Sequence, residues 1–350
     1  TKTVSGLVNN TKYYWRVKAK NQLGWNIFSQ IWNFTTIVAI PAAPVLSAPA
    51  NGATGISAAP IFDWNDVTGA TAYRLLVASD SLFTNILIND STLTSSQYQT
   101  PSGVLGYGMK YYWKVNARNI SGSGSYSAVW NFTTITRPAL SLKVFLEGFY
   151  DVTSGTQISD TVKVYLADST QGYAFVDSAR IVLNDTGKAT MSMTRITSGK
   201  YYIVIRHRNH LETWSKYAVN FSLGSSTAYD FTTAATQAYG SNMKQAGSVW
   251  VLYGGDANQD GDISALDVPI FVSQFGTQGY LAADFNGDGD ITGLDAVILV
   301  ANFGISKITP AFEAAVQPPE VINKKREEIQ KQINDKIQQS KNQQWFDRNR

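Results

Sequence analysis

Residues 256–267 read DANQDGDISALD, and residues 284–295 read DFNGDGDITGLD, an offset of 28. Asp256, Asn258 and Asp260 stand at positions 1, 3 and 5 of the first run, and Asp284, Asn286 and Asp288 in the second. Gly261 and Gly289 come next at position 6, Asp262 and Asp290 at 7, Ser264 and Thr292 at 9, and Asp267 and Asp295 at 12. Hard oxygen donors at alternate positions, with a sharp turn after them, can wrap a cation that wants about six to eight oxygens. That chemistry is calcium binding. Position 7 would offer its backbone carbonyl, position 9 would act through water, and position 12 would close the shell. Two runs predict two calcium ions.

Each run needs a regular element beside it to hold its shape. Ile270, Phe271 and Phe275 form a short helical pattern after the first, and Ile298, Leu299 and Phe303 after the second. Gly276 and Gly304 sit where helices end. Ser248–Leu252 reads as a strand, so no helix precedes the first run. The duplicated unit is therefore loop-then-helix rather than the helix-loop-helix of an EF-hand. This arrangement resembles the dockerin family over residues 254–304, and aspartate at position 12, where EF-hands prefer glutamate, strengthens the likeness. The resemblance implies a small calcium-stabilised domain and a cohesin partner. It places partner contacts at loop positions 10 and 11, here Ala265 and Leu266, then Gly293 and Leu294, which are apolar rather than the hydroxyl pairs of the best-known cellulosomal dockerins. Calcium acting as a staple without a partner is the other reading, because about fifty residues make a marginal core. Removing calcium is expected to unfold 254–304 while the β-sandwiches survive.

Charge supports the metal. Residues 250–304 hold eight aspartates and no lysine or arginine, whereas the whole 350-residue chain has 29 basic and 26 acidic residues. A net charge of +3, with basic residues scattered along strands, does not indicate nucleic acid. There are no cysteines and two histidines, which excludes disulfides, thiolate metal sites and cysteine nucleophiles. Apolar runs such as Ala296–Ala301 are too short to span a bilayer. No P-loop, nucleophile elbow or dinucleotide fingerprint is present, and no acidic pair stands out as glycosidase machinery. The reading is a protein that is not an enzyme.

A longer repeat organises the first third. KYYWRVKAKN at 12–21 returns as KYYWKVNARN at 110–119, and Trp32–Thr36 returns as Trp130–Thr134, both offset by 98. Tyr111, Trp113, Val115 and Ala117 alternate onto one face, as a half-buried strand requires. Further strands are expected at Ile61–Trp64, Ala72–Ala78 and Asn85–Ile88. Leucine six residues before tyrosine, at Leu105/Tyr111 and Leu7/Tyr13, together with Trp64, resembles fibronectin type III domains. That likeness covers 42–135 in full and 1–36 as a C-terminal half, and it implies that the Tyr111 hydroxyl bonds back to nearby backbone. A half sandwich leaves an unpaired edge. Either a longer chain extends upstream by roughly sixty residues, by the repeat offset, or a partner supplies the strands.

Thr36–Pro44 and Thr134–Pro138 read as short linkers. Residues 139–250 form a third β region, with strands expected at Ser141–Phe149, Thr161–Ala167, Arg180–Leu183, Thr190–Thr194 and Tyr201–His207. It resembles small β-sandwich modules that precede calcium-binding tails in bacterial surface proteins. The tail at 319–340 is rich in Lys, Glu and Gln and carries Ile322, Ile329, Ile333 and Ile337 along one helical stripe, which should dock on a neighbouring domain or subunit.

Weaker signals remain. His207 and His210 form H-x-x-H, but strand spacing would send the rings to opposite faces, at a polar strand end. Trp25, without a counterpart in the second repeat, is the exposed candidate for stacking on carbohydrate. Ser81, Ser91, Thr161, Ser169 and Ser178 each come after aspartate in triplets that resemble surface O-glycosylation acceptors; strand ends and turns are the plainer reading.

The fold class expected is mainly β: tandem Ig-like or fibronectin III-like sandwiches, a small dockerin-like α-helical calcium domain and a C-terminal helix. The function expected is a secreted or cell-surface structural, scaffold or adhesion protein that docks a cohesin-like domain or like subunits. A subunit of an extracellular filament or sheath, and the accessory tail of a secreted polysaccharide-degrading enzyme, are the alternatives.

Overall fold

The structure, a computed structural model, describes residues 1–170, 172–310, 324, 327–335 and 338–339. It is mainly β and forms two compact units, Thr1–Thr136 and Arg137–Arg350.

In the first unit the complete repeat is a two-sheet sandwich. One sheet runs Gln97–Gln99, Ile61–Trp64, Leu46–Ala48. The other runs Ala53–Ile56, Trp130–Thr134, Lys110–Asn119, Ala72–Ala78, Ile86–Leu93. Alternation decides which residues fill the space between them. Tyr111, Trp113, Val115 and Ala117 are buried and meet Phe62, Trp64 and Phe132 in one core. The Phe62 ring lies 5.0 Å from Trp113 and 5.7 Å from Phe132. The tyrosine corner forms as expected: the Tyr111 hydroxyl accepts from the Gly106 N–H at 2.8 Å. The third expected strand, Asn85–Ile88, extends further, to Leu93.

The partial repeat keeps the same register. Lys12 faces Thr35 and Trp15 faces Trp32, as Lys110 faces Thr133 and Trp113 faces Trp130. Tyr13 also makes its corner, accepting from the Val8 N–H at 2.9 Å. What differs is cover. Trp15 and Phe34 are 46% and 43% exposed, while their counterparts Trp113 and Phe132 are fully buried. The residues 1–36 present lack the second sheet that covers the equivalent face in the complete copy.

The second unit begins with another sandwich. One sheet runs Lys188–Ser192, Ala139–Lys143, Ser226–Asp230; the other runs Phe175–Leu183, Asp160–Asp168, Gly199–Arg206, Thr213–Trp214. Leu140, Leu142, Val162, Val164, Ile203, Ile205 and Phe221 interlock between them. The hairpin Lys244–Ala246/Val249–Val251 leads into the aspartate loops. Two helices accompany the loops, α1 at Val268–Gln274 just after the first and α2 at Gly293–Ala301 starting within the last residues of the second. Gly276 and Gly304 take φ values of 78° and 87° just beyond them, a conformation that suits glycine.

Phe271, Leu299, Phe285, Ile263 and Ile291 make the core of the loop-and-helix segment, and Leu211 of the sandwich enters it. The tail joins as well. Residues 324, 327–335 and 338–339 are helical, and Ile329 and Ile333 are buried in that same core. The stripe docks within its own chain at those two positions; Ile322 and Ile337 lie outside the described residues.

Candidate metal centres and the network that holds them

The two aspartate runs fold alike because their hydrogen bonds repeat. The Asn258 N–H donates to Asp267 Oδ1 and the Ser264 N–H to Asp267 Oδ2, at 3.1 and 2.8 Å. Twenty-eight residues on, the Asn286 and Thr292 N–H groups donate to Asp295 Oδ1 and Oδ2, at the same two distances. Each position-12 carboxylate thus ties the start of its loop to the end. Positions 3 and 5 close successive turns: the Asp260 N–H donates to Asn258 Oδ1 and the Asp262 N–H to Asp260 Oδ1, matched by Asp288 to Asn286 and Asp290 to Asp288. Thr292 caps α2, and Asp295 completes the reciprocal pair of a capping box.

Asp256, Asp267, Asp284 and Asp295 are buried, while Asp262 is exposed. Burial, then the neighbouring Asp267 and Asp260 charges, push the Asp256 carboxyl up to about 7. Burial likewise raises Asp267 and Asp295. Asp256 Oδ2 accepts the Gly261 N–H at 3.2 Å, but its Oδ1 is buried without a partner. It is the one carboxylate oxygen in that condition among the described residues. Mutually repelling carboxylates around an orphaned oxygen fit a hard cation, since burying an uncompensated charge is costly. Among the described residues no three His, Asp or Glu side chains converge to hold an ion by themselves. The loops alternate Asp with Asn, so amide and backbone oxygens must complete any shell.

The first positions of the two loops differ in one respect. Asp284 Oδ1 accepts the Gly287 N–H at 2.8 Å, and its Oδ2 accepts from Arg208 Nη2 at 3.0 Å. Arg208 comes from the sandwich. Its guanidinium also pairs with Asp160 and stacks 3.8 Å over the Tyr280 ring. Asn209 Nδ2 donates to the Asp284 carbonyl at 2.5 Å, and the Tyr280 hydroxyl donates to Asp160 Oδ1 at 2.6 Å. Backbone approach is close as well. Gly148 takes φ 77°, and a Cβ there would stand 2.6 Å from the Phe285 carbonyl; one at Gly287, φ 76°, would stand 2.5 Å from the Phe149 ring.

Beside this bridge lie the two histidines, and the expectation for them is corrected. The strand ends at Arg206, so His207 and His210 do not obey strand alternation. Their rings turn together, Nδ1 to Nδ1 at 2.9 Å, and both are buried rather than at a polar surface. His207 Nε2 lies 3.1 Å from Asp160 Oδ2, and His210 Nε2 lies 3.0 Å from the Glu147 carbonyl. Burial lowers both histidines, His210 well below the ordinary value. Burial alone would raise Asp160, but hydrogen bonds from His207 and Tyr280 hold it far below. Arg208, Glu147, Tyr280 and Asn302 had no sequence signal, because the carboxylates and amides they pair with lie 48 or more residues away.

Trp25 is 59% exposed, with the Lys18 ammonium 4.6 Å from its ring. The aspartates before Ser81, Ser91 and Ser169 accept backbone N–H groups two residues on, closing turns.

Residues 254–303 match the family model of the dockerin type I domain, in which calcium binding is characteristic. Comparison with curated proteins gave no match. Among solved structures, a C-terminal interface mutant of the type II cohesin–X–dockerin complex from Acetivibrio cellulolyticus is similar at 17% identity, covering 48% of this chain and 97% of that one, with a TM-score of 0.32. An Fn3-like protein from Clostridium thermocellum is similar at 23% identity over 27% of this chain and 93% of that one, with a TM-score of 0.22. The fibronectin type III domain of human fibronectin type III domain containing protein 3 shows 26% identity over 27% and 84%, with a TM-score of 0.21. No helix among the described residues is long and apolar enough to cross a membrane.

Proposed function

We propose that this chain is a non-catalytic extracellular connector whose 254–304 segment binds two calcium ions and docks a cohesin-like domain. The observation that carries the calcium reading is the buried, unpartnered Asp256 Oδ1 inside a loop whose bonding is copied in the second loop. Asp256, Asn258, Asp260, the Asp262 carbonyl, Ser264 and Asp267 would hold one ion. Asp284, Asn286, Asp288, the Asp290 carbonyl, Thr292 and Asp295 would hold the other. Calcium supplies charge compensation and cross-linking of each loop, with no chemical step.

The docking reading draws on what the calcium-held helices leave outside. Leu266 is 65% exposed, and Leu294 and Val297 are each 64% exposed. Large apolar side chains presented from a metal-braced loop and helix suit an interface core. The β-sandwiches act as spacers, and the partner is a cohesin-like domain in an extracellular assembly. Calorimetric titration of the full chain with calcium, and then binding to a panel of purified cohesins with and without chelator, tests both parts. Two calcium-binding events and calcium-dependent capture of a cohesin are expected. No calcium uptake would end the reading, and uptake without any cohesin bound would leave calcium as a staple only.

A further inference from the structure

The two loops are near copies in sequence, yet the second is gripped by a charged side chain of the sandwich. Among the described residues Asp256 makes no ion pair, whereas Asp284 is faced by Arg208 at 3.0 Å and has its carbonyl taken by Asn209 at 2.5 Å. Arg208 is itself fixed from the sandwich side, because its guanidinium pairs with buried Asp160 at the first residue of strand Asp160–Asp168. Asp160 is held in turn by His207 and Tyr280. One guanidinium therefore bridges a strand of the sandwich and the first residue of the second loop. A planar fork with five donors can serve two carboxylates at once, which an ammonium does less well. A Cβ at Gly148 would press on the Phe285 carbonyl and one at Gly287 on the Phe149 ring, so both glycines permit the close approach.

From this bridge we infer that Arg208 is a positioning residue for the second loop, linking calcium occupancy there to the stability of the sandwich at 137–250. The inference rests on the calcium reading above and adds, to the expectation that the neighbouring sandwich survives chelation, a loss of its stability when calcium leaves. Its logic is reciprocal. A ligand that binds only the ordered loop stabilises whatever must be ordered with that loop. When the second loop opens, Asp284 leaves Arg208, and a buried guanidinium–carboxylate array loses one of its members. Among the described residues the first loop meets the sandwich through neutral contacts, the Gln259 side chain donating to the His207 carbonyl at 3.0 Å, the adjacent Gly255 N–H donating to the Asn209 carbonyl at 2.9 Å and Leu211 packing near Ala257 and Ile263, so it should couple less.

The test is amide hydrogen exchange on the full-length protein in millimolar calcium and in chelator, with calcium uptake measured by calorimetry on the same samples. Chelation is expected to speed exchange in Asp160–Asp168 and Gly199–Arg206 by on the order of tenfold. Strand Lys110–Asn119 serves as the internal reference and should not respond. In Arg208→Met the calcium-dependent difference should fall to roughly threefold or less, and Arg208→Lys should not restore it fully. The amide signals of Gly261 and Gly289 report the loops separately by nuclear magnetic resonance. Arg208→Met should shift the calcium titration of Gly289 and leave that of Gly261 in place. Should Arg208→Met fail to fold, Tyr280→Phe removes one bond to Asp160, keeps the ring under the guanidinium, and should also reduce the difference. Calcium uptake with exchange changes confined to 254–304 would overturn the coupling while leaving the calcium sites standing. No calcium uptake at all would overturn both.

Discussion

Asn302 at the end of α2 donates its side-chain N–H to Glu147 Oε2 at 2.5 Å, joining residues 155 apart in the chain. The same Asn302 amide reaches the Gly254 carbonyl at 2.7 Å, and the Glu147 carboxylate also takes the Gly254 N–H at 3.0 Å and the Lys244 ammonium. Glu147 thus gathers the sandwich, the hairpin before the loops and the second helix around one carboxylate. Glu147→Ala would strand several buried donors together. A cost on the order of 3 kcal/mol is expected. Differential scanning calorimetry in calcium should show it as a lower midpoint for the second unit, with the first unit unmoved.

Asp267 and Asp295 each accept two or more backbone N–H groups and close a loop. Asp295→Ala is expected to lower calcium stoichiometry from two to one and to loosen α2, whose capping box it dismantles. Asp267→Ala should remove the other ion. Isothermal titration of each variant counts the sites, and two full equivalents in either variant would contradict the assignment.

Acid should weaken the second unit selectively. His207 and His210 have folded pKa values lowered, first by burial, against an unfolded value of about 6.5. They face Asp160, Arg208, Asn209 and the Glu147 carbonyl. Above about pH 6.5 both folded and unfolded chains leave them neutral. Below it the unfolded chain takes up protons that the folded chain refuses, so stability falls by up to about 1.4 kcal/mol per pH unit for each histidine. Asp160, whose folded pKa is depressed, keeps its contribution until the pH drops below about 4. In saturating calcium, which would hold the raised Asp256, Asp267 and Asp295 carboxyls in their charged forms, the midpoint of the second unit should drop between about pH 7 and 5, while that of the first unit, which has no histidine, should stay level.

Trp113 and Trp15 share a register and a sequence context but not an environment. Trp113→Ala should cost about 3–5 kcal/mol, as large-to-small changes in packed cores do. Trp15→Ala in this chain should cost less than about 1 kcal/mol, because its ring is already half in water. Denaturant titration with tryptophan fluorescence distinguishes the two.

Ile333 is fully buried and Ile329 nearly so, in the core built by Phe271 and Leu299. Ile333→Ala should destabilise the second unit by about 2–4 kcal/mol. Ile333→Asp should release the tail helix outright, seen as rapid proteolysis around 327–335 at calcium concentrations that protect the wild type.

Much of this protein could be read along the chain. The aspartate loops, the helices after them, the glycines that end those helices and the alternation that buries Trp113 all arise from spacing within a few residues. Such features are set by backbone geometry, which a local run of sequence controls directly. The 98-residue repeat likewise announced a register that both copies keep. The histidine pair marks where local reading fails: a strand that stops at Arg206 turns two rings expected apart into contact. The tail stripe announced that it would dock, but not that it would fill the core behind α1 and α2. Only the tertiary structure set Arg208 against Asp284, Glu147 against Asn302 and Leu211 among the helices. The first two pairings join residues 76 and 155 positions apart. Their partners are chosen by which surfaces fit and which buried charges must be compensated. No periodicity encodes that choice, which is why two loops nearly alike in sequence end in different electrostatic surroundings.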